Sequence, residues 1–352
     1  MVKKLISFCV ILSVCMLRVS AFEADSVSAE CAVVLNLHTD EVFFEKNAQK
    51  RHSMASTTKI MTSLLAIESG KLQSEIIVSG EMLKVEGTSM GLVENDSVSL
   101  EELVYGMMLA SGNDAANATA IFLGGTLDDF SVLMNERAKE IGMNNTNFVT
   151  PSGLDSENHY STAYDMALLG ASAVKNPKFL SVCSSRSASL SYGNPPYLRT
   201  IYNHNKLLDR YDYALGVKTG FTKKSGRCLV SYAKRDFSEL IAVTLNAPDD
   251  WDDHVLMLDE AFRNLSSAEL IADVPVEIPV VGGISECVSV SVEPYVYSYF
   301  QKAETFYKVY LEKFLYAPVE QGTVTGYCEY YVNGSLRSVE PIIAQESVSQ
   351  KV

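Results

Sequence analysis

Met54-Ala55-Ser56-Thr57-Thr58-Lys59-Ile60-Met61 puts a serine and a lysine three residues apart at the head of an apolar run. The run continues through Leu64, Leu65, Ala66 and Ile67 and stops at Gly70. Apolar residues at 60, 61, 64, 65 and 67 fit a helix with a wide buried face, and glycine is a natural stop. Residues i and i+3 are neighbours on one helix face, so Ser56 and Lys59 are expected side by side at the helix start. A hydroxyl there needs a base to become a nucleophile. A lysine packed into an apolar helix loses solvation, which lowers its pKa towards a value where it accepts a proton. The same residues also fit a serine N-cap followed by a solvated lysine. The rest of the chain decides between the two.

Upstream, residues 32–37 read as a strand, His38-Thr39-Asp40-Glu41 as a turn and 42–45 as the returning strand of a hairpin. Downstream, residues 76–98 alternate short apolar pieces with Gly80, Gly87, Gly91 and Asn95-Asp96, a loop-rich strand region. Ser99-Leu100-Glu101-Glu102 is a capping-box start for a helix over 103–109, which ends at Ala110-Ser111-Gly112-Asn113-Asp114. A second helix over 115–123 stops at Gly124-Gly125, and Thr126 caps a third that runs to Ile141. A polar loop over 144–158 contains Thr150-Pro151-Ser152-Gly153, and Ser161-Thr162 caps a helix to residue 175. Residues 183–214, rich in Ser, Tyr, Asn and Pro, read as an irregular connector. Strands over 215–220, 227–234 and 240–245 make an antiparallel meander, closed by a helix over 252–263. Beyond 265–275, short alternating stretches with Gly and Pro breaks predict a separate all-β domain of about 80 residues.

The chain has 352 residues, enough for one large domain and a smaller one. Residues 1–21 read as a signal peptide. Lys3 and Lys4 start it, an apolar stretch from Leu5 to Leu17 follows, and Val19-Ser20-Ala21 is a small-residue cleavage site. This divides the chain into 1–21, a large domain over 22–268 and a β-rich domain over 269–352, and implies an exported protein. The net charge is −14, and loss of Lys3, Lys4 and Arg18 with the signal makes it −17. That argues against a nucleic-acid partner, which needs clustered Lys and Arg. Cys31, Cys183, Cys228, Cys287 and Cys328 remain, without a zinc spacing. Buried free thiols are the expectation, with Cys287–Cys328 as the pairing an oxidising compartment would permit. The five histidines are scattered and no metal or cofactor is expected.

Two further triplets stand out. Ser111-Gly112-Asn113 sets a hydroxyl and an amide on a loop between two helices, where buried polar groups need partners. Lys218-Thr219-Gly220 sets a cation and a hydroxyl in a strand where glycine lets another backbone approach. Each alone also fits a turn or an ordinary edge strand. Together, in this order and each in the right local structure, the three resemble the active-site motifs of penicillin-binding proteins. The Ser-Gly-Asn variant resembles the low-molecular-mass members, the serine D-alanyl-D-alanine carboxypeptidases. So do Asn144 to Ala167, Asn203-His204-Asn205-Lys206-Leu207-Leu208 and Gly216 to Pro248, and the likeness covers nearly all of residues 28–265.

The resemblance implies an α+β fold of the penicillin-binding and β-lactamase type: an antiparallel sheet flanked by helices, a helical region, and a small all-β domain after it. It implies Ser56 as nucleophile, Lys59 as its base, Ser111 as proton relay and Asn113 as a hydrogen-bonding group for substrate and Lys59. Lys218 and Thr219 would bind the substrate carboxylate, Gly220 would be scaffold, and the backbone N–H groups of Ser56 and Phe221 would form an oxyanion hole. The substrates would be peptidoglycan stem peptides, with β-lactams as covalent inhibitors. The loop at Glu86 to Gly91 stands where the family shapes the site and affects deacylation. Arg227 fits either a second holder of the carboxylate or a structural ion pair. Family members commonly end in an amphipathic membrane-attaching helix, whereas Ala344 to Val352 shows no apolar helical face, so attachment by that route stays open. An endopeptidase, a β-lactamase using Glu157 and a non-catalytic wall-binding protein are the competing readings.

Overall fold

Period-two alternation in the central strands decides how the molecule is layered. The computed structural model describes residues 23–352, and the segment read as a signal peptide lies outside them. β1 (Cys31–Asn36) and β2 (Val42–Lys46) form a hairpin. In chain order there follow a 3₁₀ turn (Ala55–Thr58), α1 (Lys59–Glu68), β3 (Glu75–Ile77), β4 (Ser97–Ser99) and α2 (Leu100–Met108). Next come α3 (Asn113–Gly124), α4 (Leu127–Ile141), α5 (Ala163–Val174), α6 (Pro177–Cys183), β5 (Ser187–Gly193) and β6 (Pro196–Tyr202). The sequence continues with α7 (Leu207–Arg210), β7 (Ala214–Thr222), β8 (Gly226–Arg235), β9 (Ser238–Leu245) and α8 (Asp250–Asn264).

The main sheet has the order β2-β1-β9-β8-β7 and is antiparallel throughout. In β1, Val33 and Leu35 join one core with residues of α1 to α5, whereas Ala32 and Val34 join another with Met257, Leu258 and Ala261 of α8. Successive side chains of a strand point to opposite faces, so the sheet is coated by helices on both sides. The resulting α+β architecture is the expected one. At Ser99 the capping box forms in full, with the hydroxyl on Glu102 N–H and the Glu102 carboxylate on Ser99 N–H.

The stretch 183–214 differs from the expectation of an irregular connector. β5 and β6 pair as a hairpin and extend a four-stranded sheet, β3-β4-β5-β6. Serines at 187, 189 and 191 had masked a period of two. The intervening Leu190 and Tyr192 are buried while the serines face outwards. α6 fills residues between the helix expected to end at 175 and that stretch, for which the sequence reading assigns no element. Its Asn176 cap and Pro177 at the first helical position are a standard start.

Beyond α8 the chain is all β, from β10 (Ser266–Leu270), β11 (Glu277–Val281) and β12 (Cys287–Ser291) to β13 (Tyr295–Tyr299) and β14 (Thr305–Leu311). It ends with β15 (Leu315–Tyr316), β16 (Val324–Val332) and β17 (Ser335–Ala344). A six-stranded sheet of order β14-β16-β17-β12-β11-β15 and the β10–β13 pair make up this region. The β1–β2 turn holds it. Asn36 Nδ2 donates to Ser298 O at 2.8 Å, and the Glu41 carboxylate accepts from the N–H groups of Phe300 and Gln301. Cys287 and Cys328 are unpaired, as are Cys31, Cys183 and Cys228.

Two buried histidines make the fold acid-sensitive. His254 of α8 sits between Ser231 Oγ at 2.6 Å and Thr244 Oγ1 at 3.0 Å, and burial lowers its pKa to about 3. Burial lowers that of His159 to about 4. In the unfolded chain both titrate near pH 6.5. Between those limits the unfolded chain binds protons that the native one refuses, so stability present above pH 6.5 is lost as pH falls. Urea midpoints measured from pH 7 to pH 4 should fall for the native protein. The slope should be shallower for His254→Gln, by on the order of a few kcal/mol over the window.

Candidate active site

The 3₁₀ turn is what brings Ser56 to Lys59. An α-helical start at Ser56 was expected, but the helix proper begins at Lys59. Thr57 Oγ1 bonds Met54 O and Thr58 Oγ1 bonds Ala55 O, holding the tighter winding. In a 3₁₀ turn, side chains at i and i+3 eclipse. Ala55, immediately before the serine, has a φ of 46°, in the left-handed region that costs a non-glycine residue roughly 1 kcal/mol. Ser111 is held likewise, at a φ of 59°. Such strain gathers at functional sites.

Lys59 is fully buried and lies among three acceptors: Ser56 Oγ at 2.9 Å, Asn113 Oδ1 at 2.7 Å and Ser152 O at 2.7 Å. Burial holds its pKa well below the usual lysine value, the nearby Lys218 ammonium adds to this, and Asp114 opposes it. Lys218, also buried, donates to Ser111 Oγ at 3.1 Å and to Thr219 O at 2.8 Å. Burial lowers its pKa to about 7. Two buried cations facing one cleft disfavour each other's charged form.

Gly220 brings β7 against the serine turn. A Cβ there would lie 3.0 Å from Ser56 N and 3.1 Å from Met54 O. The backbones of Ser56 and of the strand bearing Phe221 thereby flank one spot, while the Phe221 side chain is exposed. Thr219 and Gly220 line the same cleft, of about 470 Å³, with Ser56, Ser111 and Asn113. Ser56, Lys59, Ser111, Asn113, Lys218, Thr219, Gly220 and Phe221 therefore converge. Glu157 is exposed and is not part of the cleft lining.

Several residues that shape the cleft were not singled out from sequence. Ser152 O holds Lys59, and the loop carrying it is pinned by His159, whose Nδ1 accepts from Val149 N and whose Nε2 meets Thr58 Oγ1 at 2.9 Å. Asp114 accepts from Ser89 Oγ and from the N–H groups of Met90, Gly91 and Leu92, fastening the 86–92 loop. The Glu86 carbonyl of that loop in turn accepts from Asn113 Nδ2 at 2.6 Å. Trp251 and Asp250 also line the cleft, beside His204, Lys206 and Arg227, which the sequence had already brought forward. Gly153 in a Thr-Pro-Ser-Gly turn and Asp114 beside Asn113 were the available signals.

Fold and cleft together define an active-serine peptidase of the penicillin-binding type. Residues 18–249 match the D-alanyl-D-alanine carboxypeptidase family, and the chain belongs to that family of serine-type peptidases. It is 29% identical over 336 residues to D-alanyl-D-alanine carboxypeptidase DacF of Bacillus subtilis (strain 168), covering 92% of this chain and 86% of the relative. Penicillin binding protein 5 of Haemophilus influenzae superposes with a TM-score of 0.66 at 27% identity, over 92% of this chain and 98% of that one. The carboxypeptidase DacD of Francisella tularensis does so with a TM-score of 0.65 at 28% identity, over 98% of both chains.

Proposed function

We propose that the protein removes the terminal D-alanine from peptidoglycan stem pentapeptides through an acyl-enzyme on Ser56, with Lys59 as the base. The observation that carries this is the set of partners around Lys59. A neutral amine has two N–H donors and one lone pair. Asn113 Oδ1 and Ser152 O take the two donors, which leaves the lone pair for the Ser56 hydroxyl. Ser56 Oγ attacks the carbonyl carbon of the penultimate residue as its proton passes to Lys59 Nζ. The N–H groups of Ser56 and Phe221 take the developing oxyanion. Ser111 hands a proton to the departing amine, terminal D-alanine leaves, and water hydrolyses the ester. Lys218 supplies the cation for the terminal carboxylate, with the Thr219 hydroxyl beside it and Gly220 letting the strand close in.

β-Lactams mimic the same peptide end and acylate the same oxygen. Cross-link cleavage is a second use of this site, whereas a β-lactamase reading through Glu157 has no support from its place outside the cleft. The substrate lies outside the cytoplasmic membrane, which goes with export by residues 1–21. The β-rich region 269–352, read as a second domain, bears none of these residues.

Incubation with a synthetic stem pentapeptide should release free D-alanine, and Ser56→Ala should release none above background. Release from a cross-linked dimer, measured alongside, sets the endopeptidase share. A native protein that binds the peptide and frees no D-alanine would count against this function.

A further inference from the structure

The Asn113 carboxamide is held in one sense. Its Oδ1 accepts from Lys59 Nζ at 2.7 Å and its Nδ2 donates to Glu86 O at 2.6 Å. A carbonyl only accepts, so Glu86 O keeps the amide nitrogen on its own side and the amide oxygen on Lys59. The same loop takes the Asn113 backbone N–H on Thr88 O at 2.7 Å, and Thr88 Oγ1 donates to Ser111 O at 2.6 Å. Whatever fixes residues 86–92 therefore fixes Ser111 and Asn113.

That loop is gripped by both kinds of backbone group. Asp114 takes its N–H groups at Met90, Gly91 and Leu92. The β5–β6 hairpin takes its carbonyls: Tyr192 Oη donates to Met90 O at 2.6 Å, and Arg199 Nη1 donates to Gly91 O at 2.9 Å. Tyr192 pairs with Tyr197 and Leu190 with Arg199, so Tyr192, Tyr197 and Arg199 share one face of the hairpin. The Arg199 guanidinium lies 4.1 Å from the ring centroids of both tyrosines, which fixes where its Nη1 points. Tyr192 is fully buried, and phenylalanine would fill the same space; what the hydroxyl adds is the bond to Met90 O. Neither Tyr192 nor Arg199 lines the cleft.

Resting on the function proposed above, we propose that Tyr192 and Arg199 are positioning residues of the reaction: they clamp the carbonyls of the 86–92 loop, and through Glu86 O the loop keeps the Asn113 oxygen on Lys59. They touch neither substrate nor the reacting atoms. With the clamp gone, Glu86 O no longer dictates which end of the Asn113 carboxamide faces Lys59. An amide nitrogen turned to Lys59 would withdraw an acceptor that favours the ammonium form, so Lys59 would lose its proton at lower pH. It would also leave the amine less well aimed at Ser56 Oγ.

The test is the pH profile of benzylpenicillin acylation, measured on the full chain by stopped flow. Tyr192→Phe/Arg199→Met should lower the plateau rate about tenfold, within the range for a slightly misplaced group, and move the acid limb to lower pH. Lys218 and Asp114, the other charged groups that act on Lys59, are left in place. Asn113→Ala should shift the limb in the same direction. Adding Tyr192→Phe/Arg199→Met to Asn113→Ala should change neither plateau nor limb further, since residues that act through one another do not add. Met257→Ala, buried on the other side of the main sheet, is the control for lost stability alone: its urea midpoint should fall while its limb stays with the native one. A native profile in Tyr192→Phe/Arg199→Met, losses that add to those of Asn113→Ala, or an equal limb shift in Met257→Ala would overturn the proposal. A native protein that benzylpenicillin does not acylate at any pH would instead overturn the function it rests on.

Discussion

Lys59→Met should fold and yet acylate with benzylpenicillin about 10²- to 10⁴-fold more slowly than the native protein, the usual range for loss of a positioned general base. Methionine matches the length and volume of the buried stem, so the packing of α1 is kept. What is lost is the lone pair facing Ser56 Oγ. Asn113 Oδ1 and Ser152 O also lose their donor, at about 1–3 kcal/mol each, which should show as a lower urea midpoint. Stopped-flow acylation rates and denaturation curves on the same samples separate the two effects. The pH profile carries a second signature. Lys59 must be neutral, so native acylation falls as pH drops through its depressed pKa. Lys218, whose pKa burial lowers to about 7, must be charged to hold a carboxylate. KM for a peptide should therefore rise on the alkaline side. A native rate that keeps rising up to the pKa of free lysine would count against Lys59 as the base.

Gly153→Ala should be among the most damaging changes that remove no functional side chain. Gly153 has a φ of 85°, and a Cβ there would lie 1.9 Å from Ala55 O and 2.8 Å from Thr58 Oγ1. Neither neighbour can yield, since Ala55 is itself in the left-handed region and Thr58 is bonded to both Ala55 O and His159. The loop must move, and Ser152 O moves with it off Lys59. A loss of about 3 kcal/mol in stability is expected, from the left-handed penalty and the clash together. An activity loss of about 10²-fold should accompany it, the scale of a 1 Å misplacement. Gly142→Ala is the control, because its φ of 92° is similar but nothing lies within 4 Å of the added Cβ. It should cost about 1 kcal/mol and leave kcat untouched. Equal activity in the two variants would show that the 150–153 loop does not position Lys59.

Much of this was legible in the chain itself, for physical reasons that can be named. The meander β7-β8-β9 and α8 show clean hydrophobic periods, and the Ser99–Glu102 capping box is a local signal that needs no tertiary context. Ser56, Lys59, Ser111, Asn113 and Lys218 were readable because their chemistry is carried by side chains at short spacings. What was not legible belongs to the backbone or to long-range partners. The 3₁₀ winding at Ala55–Thr58 depends on threonine hydroxyls bonding back to carbonyls, and the third acceptor on Lys59 is a main-chain oxygen 93 residues away. The β5–β6 hairpin was hidden because serines fill its solvent face, where turn-like composition and strand pattern look alike. Arg227 and Asp250 lie 23 residues apart, and only the turn from β9 into α8 brings the carboxylate under the guanidinium.

Intact-protein mass after brief exposure to benzylpenicillin tests the central claim most directly. The account predicts a single adduct of one benzylpenicillin on the native chain and none on Ser56→Ala under the same conditions. An adduct that persists on Ser56→Ala, or a native chain that takes up none, would contradict it.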